Sequence, residues 1–211
     1  MKNMVDKEPY QDKKLIAFDL YGTCIDHALK FLRLSWELRE ILKTKPITFQ
    51  DIKEGKLEEE WIKVRIDNEF IENIRKDIAW TFLFPETLDT LKYIKSRWYE
   101  TAVVSNLSKD YAEPLHRLIP EWNFDYEVLS FDVWAVKPDP KIYEYLKSLS
   151  WIDFKDIIMI WDSLKSDVVW SNSVWITPIL LNRSEEWIKQ VHKKWIDFIQ
   201  ISTLADLKEI L

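Results

Sequence analysis

Short, β-branched apolar runs alternating with helical patterns constrain this chain more than any other feature. Six such runs occur: Lys14 to Leu20, Thr101 to Ser105, Tyr126 to Ser130, Asp156 to Ile160, Thr177 to Leu181 and Phe198 to Ile201. Each reads as a buried strand. Between most of them the apolar spacing becomes that of a helix. Leu88, Leu91 and Ile94 share one face of Pro85 to Arg97, and Ile142, Leu146 and Leu149 one face of Pro138 to Leu149. Strand and helix in alternation predict a parallel sheet with helices on both faces. Pro85 and Pro138 suit a first helical turn, and Ser108 can cap the helix running toward Ile119.

Residues 26 to 84 interrupt the alternation with helical patterns alone: Asp26 to Lys43, then a second set with Leu57, Trp61, Val64, Phe70, Ile71, Ile74 and Ile78. An insert leaving the first strand and returning before the second lies over the carboxyl edge of the sheet, where open α/β sheets bind ligands. Its expected role is a lid. The predicted fold is therefore α/β: a three-layer, Rossmann-like core with a parallel sheet from residues 1–25 and 85–211, plus an all-helical cap from 26–84.

The bulk properties exclude several classes. With 211 residues, 47% hydrophobic and 31% charged, the chain has enough apolar surface for a folded domain and too much for a disordered one. No apolar run approaches the ~18 residues of a membrane span, and MKNMVDKEPYQDKK has no signal-peptide core, so a cytoplasmic protein is expected. The single cysteine, Cys24, leaves no internal disulfide and no zinc cluster, and reads as a small buried apolar side chain. A net charge of −6 without a basic stripe argues against nucleic acid as a partner.

Four polar clusters fall at, or just past, the carboxyl ends of successive strands, so the fold converges them. They are Asp19-Leu20-Tyr21-Gly22-Thr23, Ser105-Asn106, Lys137-Pro138-Asp139-Pro140, and Asp162-Ser163-Leu164-Lys165-Ser166-Asp167. In the first, an apolar strand ends in an acid and turns at a glycine, which brings backbone N–H groups close to whatever Asp19 holds. In the last, two carboxylates stand five positions apart where a strand passes into a helix. Alone, each is as easily a helix cap or a solvated charge. In this order, with a helical insert after the first, they resemble the four signature motifs of the haloacid dehalogenase superfamily, over about Lys14 to Arg183.

The resemblance implies a division of labour. Asp19 would be the nucleophile and form a covalent aspartyl intermediate. Lys137 would offset the negative charge around Asp19 and the transferred group, while Thr23, Ser105 and Asn106 would hydrogen-bond that group's oxygens. Asp162 would bind a magnesium ion together with Asp19 and the backbone carbonyl of Tyr21, and Asp167 would bind it directly or through water. A hard cation suits such oxygen ligands, and without one these acids would repel a phosphoryl group. The implied substrate is a small phosphate ester.

One position departs from the phosphatase pattern. Two residues after the nucleophile, where these phosphatases place an acid–base aspartate, stands Tyr21. Asp-Leu-Tyr-Gly-Thr is similar to the first motif of the branch that removes halide from 2-haloacids, whose leaving group needs no proton. The Asp162 and Asp167 pair instead looks like the phosphatase metal site, and no arginine stands early in the insert at an obviously equivalent place. Tyr21, Asp26, His27, a lid residue among Glu58 to Glu60, or water could supply the missing proton. His116 and His192 lie away from strand ends and are assigned no function.

Composition adds a third possibility. There are 2 glycines, where average usage of about 7% would give roughly fifteen, and 12 tryptophans. Trp98, Trp151 and Trp175, with Trp195 in a similar setting, follow helices and precede strands, where glycine commonly accepts positive φ. Trp134 and Trp161 stand just before Lys137 and Asp162, where the resembling family commonly has glycine. Trp36, Trp61 and Trp80 suit insert helices. Tryptophan at glycine-type positions, through engineering or an unreliable record of the sequence, would describe a folded but inactive variant.

Overall fold

The computed structural model describes residues 10, 12–26, 41–54, 56, 66–162, 175–184 and 199–211. Six parallel strands form the main sheet: β1 (Leu15–Phe18), β4 (Glu100–Ser105), β5 (Tyr126–Leu129), β6 (Ile157–Trp161), β7 (Thr177–Leu181) and β8 (Ile199–Ile201). Their order is β5-β4-β1-β6-β7-β8. Side chains alternate across the sheet, and both faces are covered. Ile16 and Phe18 join Val103, Ile158 and Ile160 on one face, with Leu91 and Ile94 of α3 (Thr87–Ser96), Leu115 of α4 (Glu113–Leu118) and Leu207 of α7 (Leu207–Ile210). Leu15 and Ala17 join Ala102, Val104 and Met159 on the other, against Ile142, Tyr143 and Leu146 of α6 (Pro140–Ser150). This is the three-layer α/β architecture that the alternation predicts.

The expected strands all appear, with boundaries shifted by a residue or two. Ser130 leaves β5 to begin the short helix α5 (Ser130–Val133), and Trp161 belongs to β6 with its side chain buried. Pro85 lies in the turn before α3, and it is Pro140, after the Asp139 N-cap, that occupies a first helical turn. Ser108 precedes a 3-10 turn over Lys109–Ala112 and makes no side-chain capping bond.

The sequence leaves and re-enters the core through a two-stranded antiparallel ribbon, β2 (Ile25–Asp26) with β3 (Phe82–Leu83). Between its strands the described residues are helical at 41–44, in α1 (Phe49–Lys53) and in α2 (Asn68–Ala79). Thr48 and Asp51 cap α1 reciprocally, and Asp67 caps α2 through the Phe70 amide at 2.9 Å. Leu42, Phe49, Ile66, Ile71 and Ile74 form a separate small core, against which Tyr111 packs. Among the described residues, no helix is long and apolar enough to cross a membrane.

Four tryptophans hold left-handed backbone: Trp98 after α3, Trp134 ending α5, Trp151 ending α6, and Trp175 before β7, with φ of 66°, 60°, 59° and 67°. Trp36, Trp61 and Trp195 lie outside the described residues. Trp80 ends α2 in ordinary helical conformation.

Candidate active site

The strand order places β1 between β4 and β6, so successive strands run outward on one side of β1 and then on the other. The carboxyl ends of β1 and β6 flank the resulting crevice, the usual ligand position in such sheets. Asp19 follows β1 and Asp162 follows β6. The Asp19 amide continues the ladder by donating to the carbonyl of Ile160 at 2.8 Å, which fixes its backbone at the edge.

Both carboxylate oxygens of Asp19 are engaged. Oδ1 accepts from the Ser105 hydroxyl at 2.8 Å and from the Leu20 amide at 2.7 Å. Oδ2 faces Lys137 Nζ at 2.8 Å, with the lysine side chain 2% exposed and the aspartate 16%. The lysine contact is one of charge rather than an aligned hydrogen bond. Attraction between opposite charges is strong where water is largely excluded, as it is around this pair. Asn106 sets the lysine: its amide donates to the Lys137 carbonyl at 2.9 Å, and its side-chain oxygen accepts from the Lys137 amide at 2.6 Å. The peptide bond between Lys137 and Pro138 is cis.

The loop after Asp19 turns tightly. The Cys24 and Ile25 amides both donate to the Leu20 carbonyl, and Gly22 adopts φ of 77°. A β-carbon on Gly22 would lie 2.1 Å from Oδ2 of Asp162, so the turn needs glycine both for its conformation and for this close approach. The acid of the fourth cluster thus abuts the loop of the first. Thr23 is buried, and its hydroxyl has no hydrogen-bond partner among the described residues. Cys24 is a buried free thiol whose pKa is pushed up by burial, which suits the apolar role read from the sequence.

Tyr21 turns away from Asp19. Its hydroxyl donates to the Tyr111 carbonyl at 2.9 Å, and the two rings meet edge-on at 6.0 Å. Burial raises its pKa, with the neighbouring Tyr111 adding to the effect. A phenol so bonded and buried is a poor proton donor to a group at Asp19. Asp26 ends the ribbon strand β2, half-buried and already engaged, while His27, Glu58 to Glu60, Asp167 and His192 lie outside the described residues. His116 pairs with Glu127 on the surface at 2.9 Å.

Three contributors escaped sequence reasoning. Ser130 joins the loops after β4 and β5, its hydroxyl accepting from the Leu107 amide at 3.1 Å and donating to the Leu107 carbonyl at 3.2 Å. Arg183, just beyond β7, donates to the Thr23 carbonyl at 3.0 Å and pairs with Glu86 at 2.7 Å. Asp110 accepts from the Phe49 amide at 3.0 Å and so holds the start of α1. The strand-end rule that found the other residues applies equally to Arg183. A cavity of about 530 Å³ opens between α2 and α4, lined by Phe49, Ile71, Ile74, Ile78, Asp110 and Arg117. It lies at the junction of insert and core, and none of the residues around Asp19 lines it.

The residues present fit a hard divalent cation: Asp19 and Asp162 are oxygen donors brought to one loop, and each carboxylate oxygen has more than one lone pair. Among the described residues no three acidic, histidine or cysteine side chains converge as a complete metal cluster.

Fold and site together define an α/β protein whose central feature is an ion-paired aspartate at the carboxyl edge of a parallel sheet. The haloacid dehalogenase-like hydrolase family matches residues 13–169, and the chain belongs to that family. A curated relative, glyceraldehyde 3-phosphate phosphatase of Methanothermobacter thermautotrophicus, is 30% identical over 131 residues, covering 61% of this chain. The match spans 58% of that relative's length. Among solved structures, a predicted phosphoglycolate phosphatase from Haemophilus somnus aligns with a TM-score of 0.68 at 20% identity, over 95% of this chain and 98% of that one. The L-2-haloacid dehalogenase of Xanthobacter autotrophicus, with chloropropionic acid covalently bound, aligns with a TM-score of 0.62 at 13% identity, over 92% and 96%. At these identities the two structures share the fold, and the fold alone does not choose between their chemistries.

Proposed function

We propose that this chain is a magnesium-dependent phosphatase of a small phosphate ester, working through an aspartyl-phosphate on Asp19. The observation that carries the reading is the Asp162 carboxylate seated against Gly22, in the loop that Asp19 begins. Two acids gathered at one loop form a site that a dianionic phosphate enters readily only with a cation, a need that is weaker for a monoanionic haloacid. The phosphatase relative in Methanothermobacter supports the same choice.

In this reading a carboxylate oxygen of Asp19 attacks phosphorus as the bond to the ester oxygen breaks, and the departing alkoxide takes a proton from water. Water then attacks the aspartyl-phosphate, releasing inorganic phosphate and restoring the carboxylate. Ser105 and the Leu20 amide orient Asp19 through Oδ1, and Lys137 offsets charge at Oδ2 and on the transferred group. The Thr23 hydroxyl, without a partner among the described residues, is available to a phosphate oxygen, while Asn106 acts chiefly by holding Lys137. Asp19, Asp162, the Tyr21 carbonyl and Asp167 would hold the magnesium ion, which when bound neutralises phosphate charge. Residues 26–84 act as a cap that closes over the site and selects the ester.

Tyr21 supports a second reading, 2-haloacid dehalogenation, because its hydroxyl is committed to Tyr111 and leaves no acid two positions after the nucleophile. A screen of the purified protein against phosphate monoesters and 2-haloacids, each with magnesium and with chelator, separates the two. Phosphate release that needs magnesium and disappears in Asp19→Asn is expected. Halide release in chelator without phosphatase activity would establish the second reading instead. Full phosphatase activity in Asp19→Asn would remove Asp19 as the nucleophile.

A further inference from the structure

Five described residues carry left-handed backbone: Gly22 and four tryptophans, Trp98, Trp134, Trp151 and Trp175. Outside glycine, this region is entered mostly by asparagine and aspartate, whose short polar side chains bond locally, and a bulky residue there is an outlier. All four non-glycine cases here are the bulkiest residue type.

Burial does not compensate for the strain. The four side chains are 94%, 65%, 91% and 81% exposed. Three of the places are those of glycine at helix ends: the Trp151 amide closes α6 onto Lys147 at 2.9 Å, the Trp98 amide closes α3 onto Lys95 at 3.0 Å, and Trp134 ends α5. At Trp134, α5 ends in left-handed conformation only three residues before Lys137. Composition agrees: 2 glycines and 12 tryptophans together amount to roughly the glycine share of an ordinary chain, about 7%.

We propose that the protein made in its own cell carries glycine at positions 98, 134, 151 and 175. One codon, UGA, is read as tryptophan in some genetic codes and as glycine in others, so a single assignment accounts for all four positions. The loops then reach their conformations without a β-carbon clash, and the segment leading to Lys137 regains its freedom to turn.

Two measurements test this. Peptides from the protein purified from its source should show glycine masses at all four positions, and their codons in the gene should be UGA. Tryptophan masses there would overturn the proposal. Independently, the chain with tryptophan and its Trp98→Gly, Trp151→Gly and Trp175→Gly variants should be compared by denaturant unfolding. Each glycine should raise the folding equilibrium constant about fivefold. A loss of stability on all three would also overturn it, and the peptide masses decide even if the tryptophan-bearing chain fails to fold.

Discussion

The Asp19 carboxylate meets a hydroxyl, a backbone amide and an ammonium, and the two side-chain partners can be removed one at a time. Lys137→Met preserves the stem but deletes the only cation within reach of Oδ2 among the described residues. Turnover should fall at least about a hundredfold, the cost usual for losing one charge-stabilising group, while the Ser105 bond keeps Asp19 in place. A steady-state assay that finds less than a tenfold loss would show the lysine to be structural. Tyr21→Phe asks a different question, since it deletes only the hydroxyl bonded to Tyr111. A general acid is worth about 10²–10⁴ in rate, whereas a lost hydrogen bond of this kind changes stability by about 1 kcal/mol. Activity on esters with poor leaving groups should stay within about threefold of the unmodified enzyme. At this scale the strand-end rule anticipated where Asp19, Ser105 and Asp162 fall and that Lys137, past β5, meets Asp19. What Asn106 bonds was not legible, because its partner is the backbone of a residue thirty-one positions away.

Helix ends carry the contact between insert and core. Asp110 accepts from the first amide of α1, and Arg117 donates to the Ile78 carbonyl near the end of α2 at 2.9 Å, each charge matching the helix dipole it meets. Between them Asp77 is buried on α2, and one of its oxygens lacks a hydrogen-bond partner among the described residues. Burial raises the pKa of both Asp77 and Asp110. A carboxyl whose pKa is higher folded than unfolded binds protons more readily in the folded state. Its stabilising effect is therefore greatest at low pH and is lost as pH rises from about 4 through the raised value. Asp77→Asn should flatten that decline in a series of denaturant titrations across pH, and equal slopes in both proteins would discount the buried carboxyl. Apolar spacing had marked Ile71 and Ile74 of α2 and Leu91 and Ile94 of α3, which are buried, but it also grouped with them Leu88, which is exposed. It had nothing to say about Asp110, since a charge in a short 3-10 turn has no periodicity to betray its partner.

At the scale of the whole molecule, alternation alone predicted parallel strands, yet the order β5-β4-β1-β6-β7-β8 depends on contacts far apart in sequence that no local pattern encodes. Arg183 shows what that order accomplishes. From beyond β7 its guanidinium reaches the Thr23 carbonyl, pairs with Glu86 at the start of α3, and stacks on Phe84 with its central carbon 3.5 Å from the ring centroid. Glu86 also accepts from the Leu204 amide at 3.4 Å, so one ion pair joins the loop after Asp19, the return of the insert and the C-terminal turn. Arg183→Met keeps the stem against the ring and removes the fork. Stability at neutral pH should fall by about 2 kcal/mol, as expected for hydrogen bonds to a charged group, and turnover should fall with the loss of the Thr23 anchor. The pH dependence identifies the partner. Burial alone would raise the pKa of Glu86, but a backbone hydrogen bond and the bonds from Arg183 and Thr203 outweigh it and hold the carboxyl below its usual value. A depressed pKa contributes stability that is complete above the unfolded value, about 4.3, and is lost as pH falls through the lower folded value. The gap between unmodified protein and Arg183→Met should therefore narrow below about pH 4, as Glu86 takes up its proton in both. A gap that stays constant through that range would mean that Arg183 acts through Thr23 and Phe84 alone, with the ion pair contributing nothing.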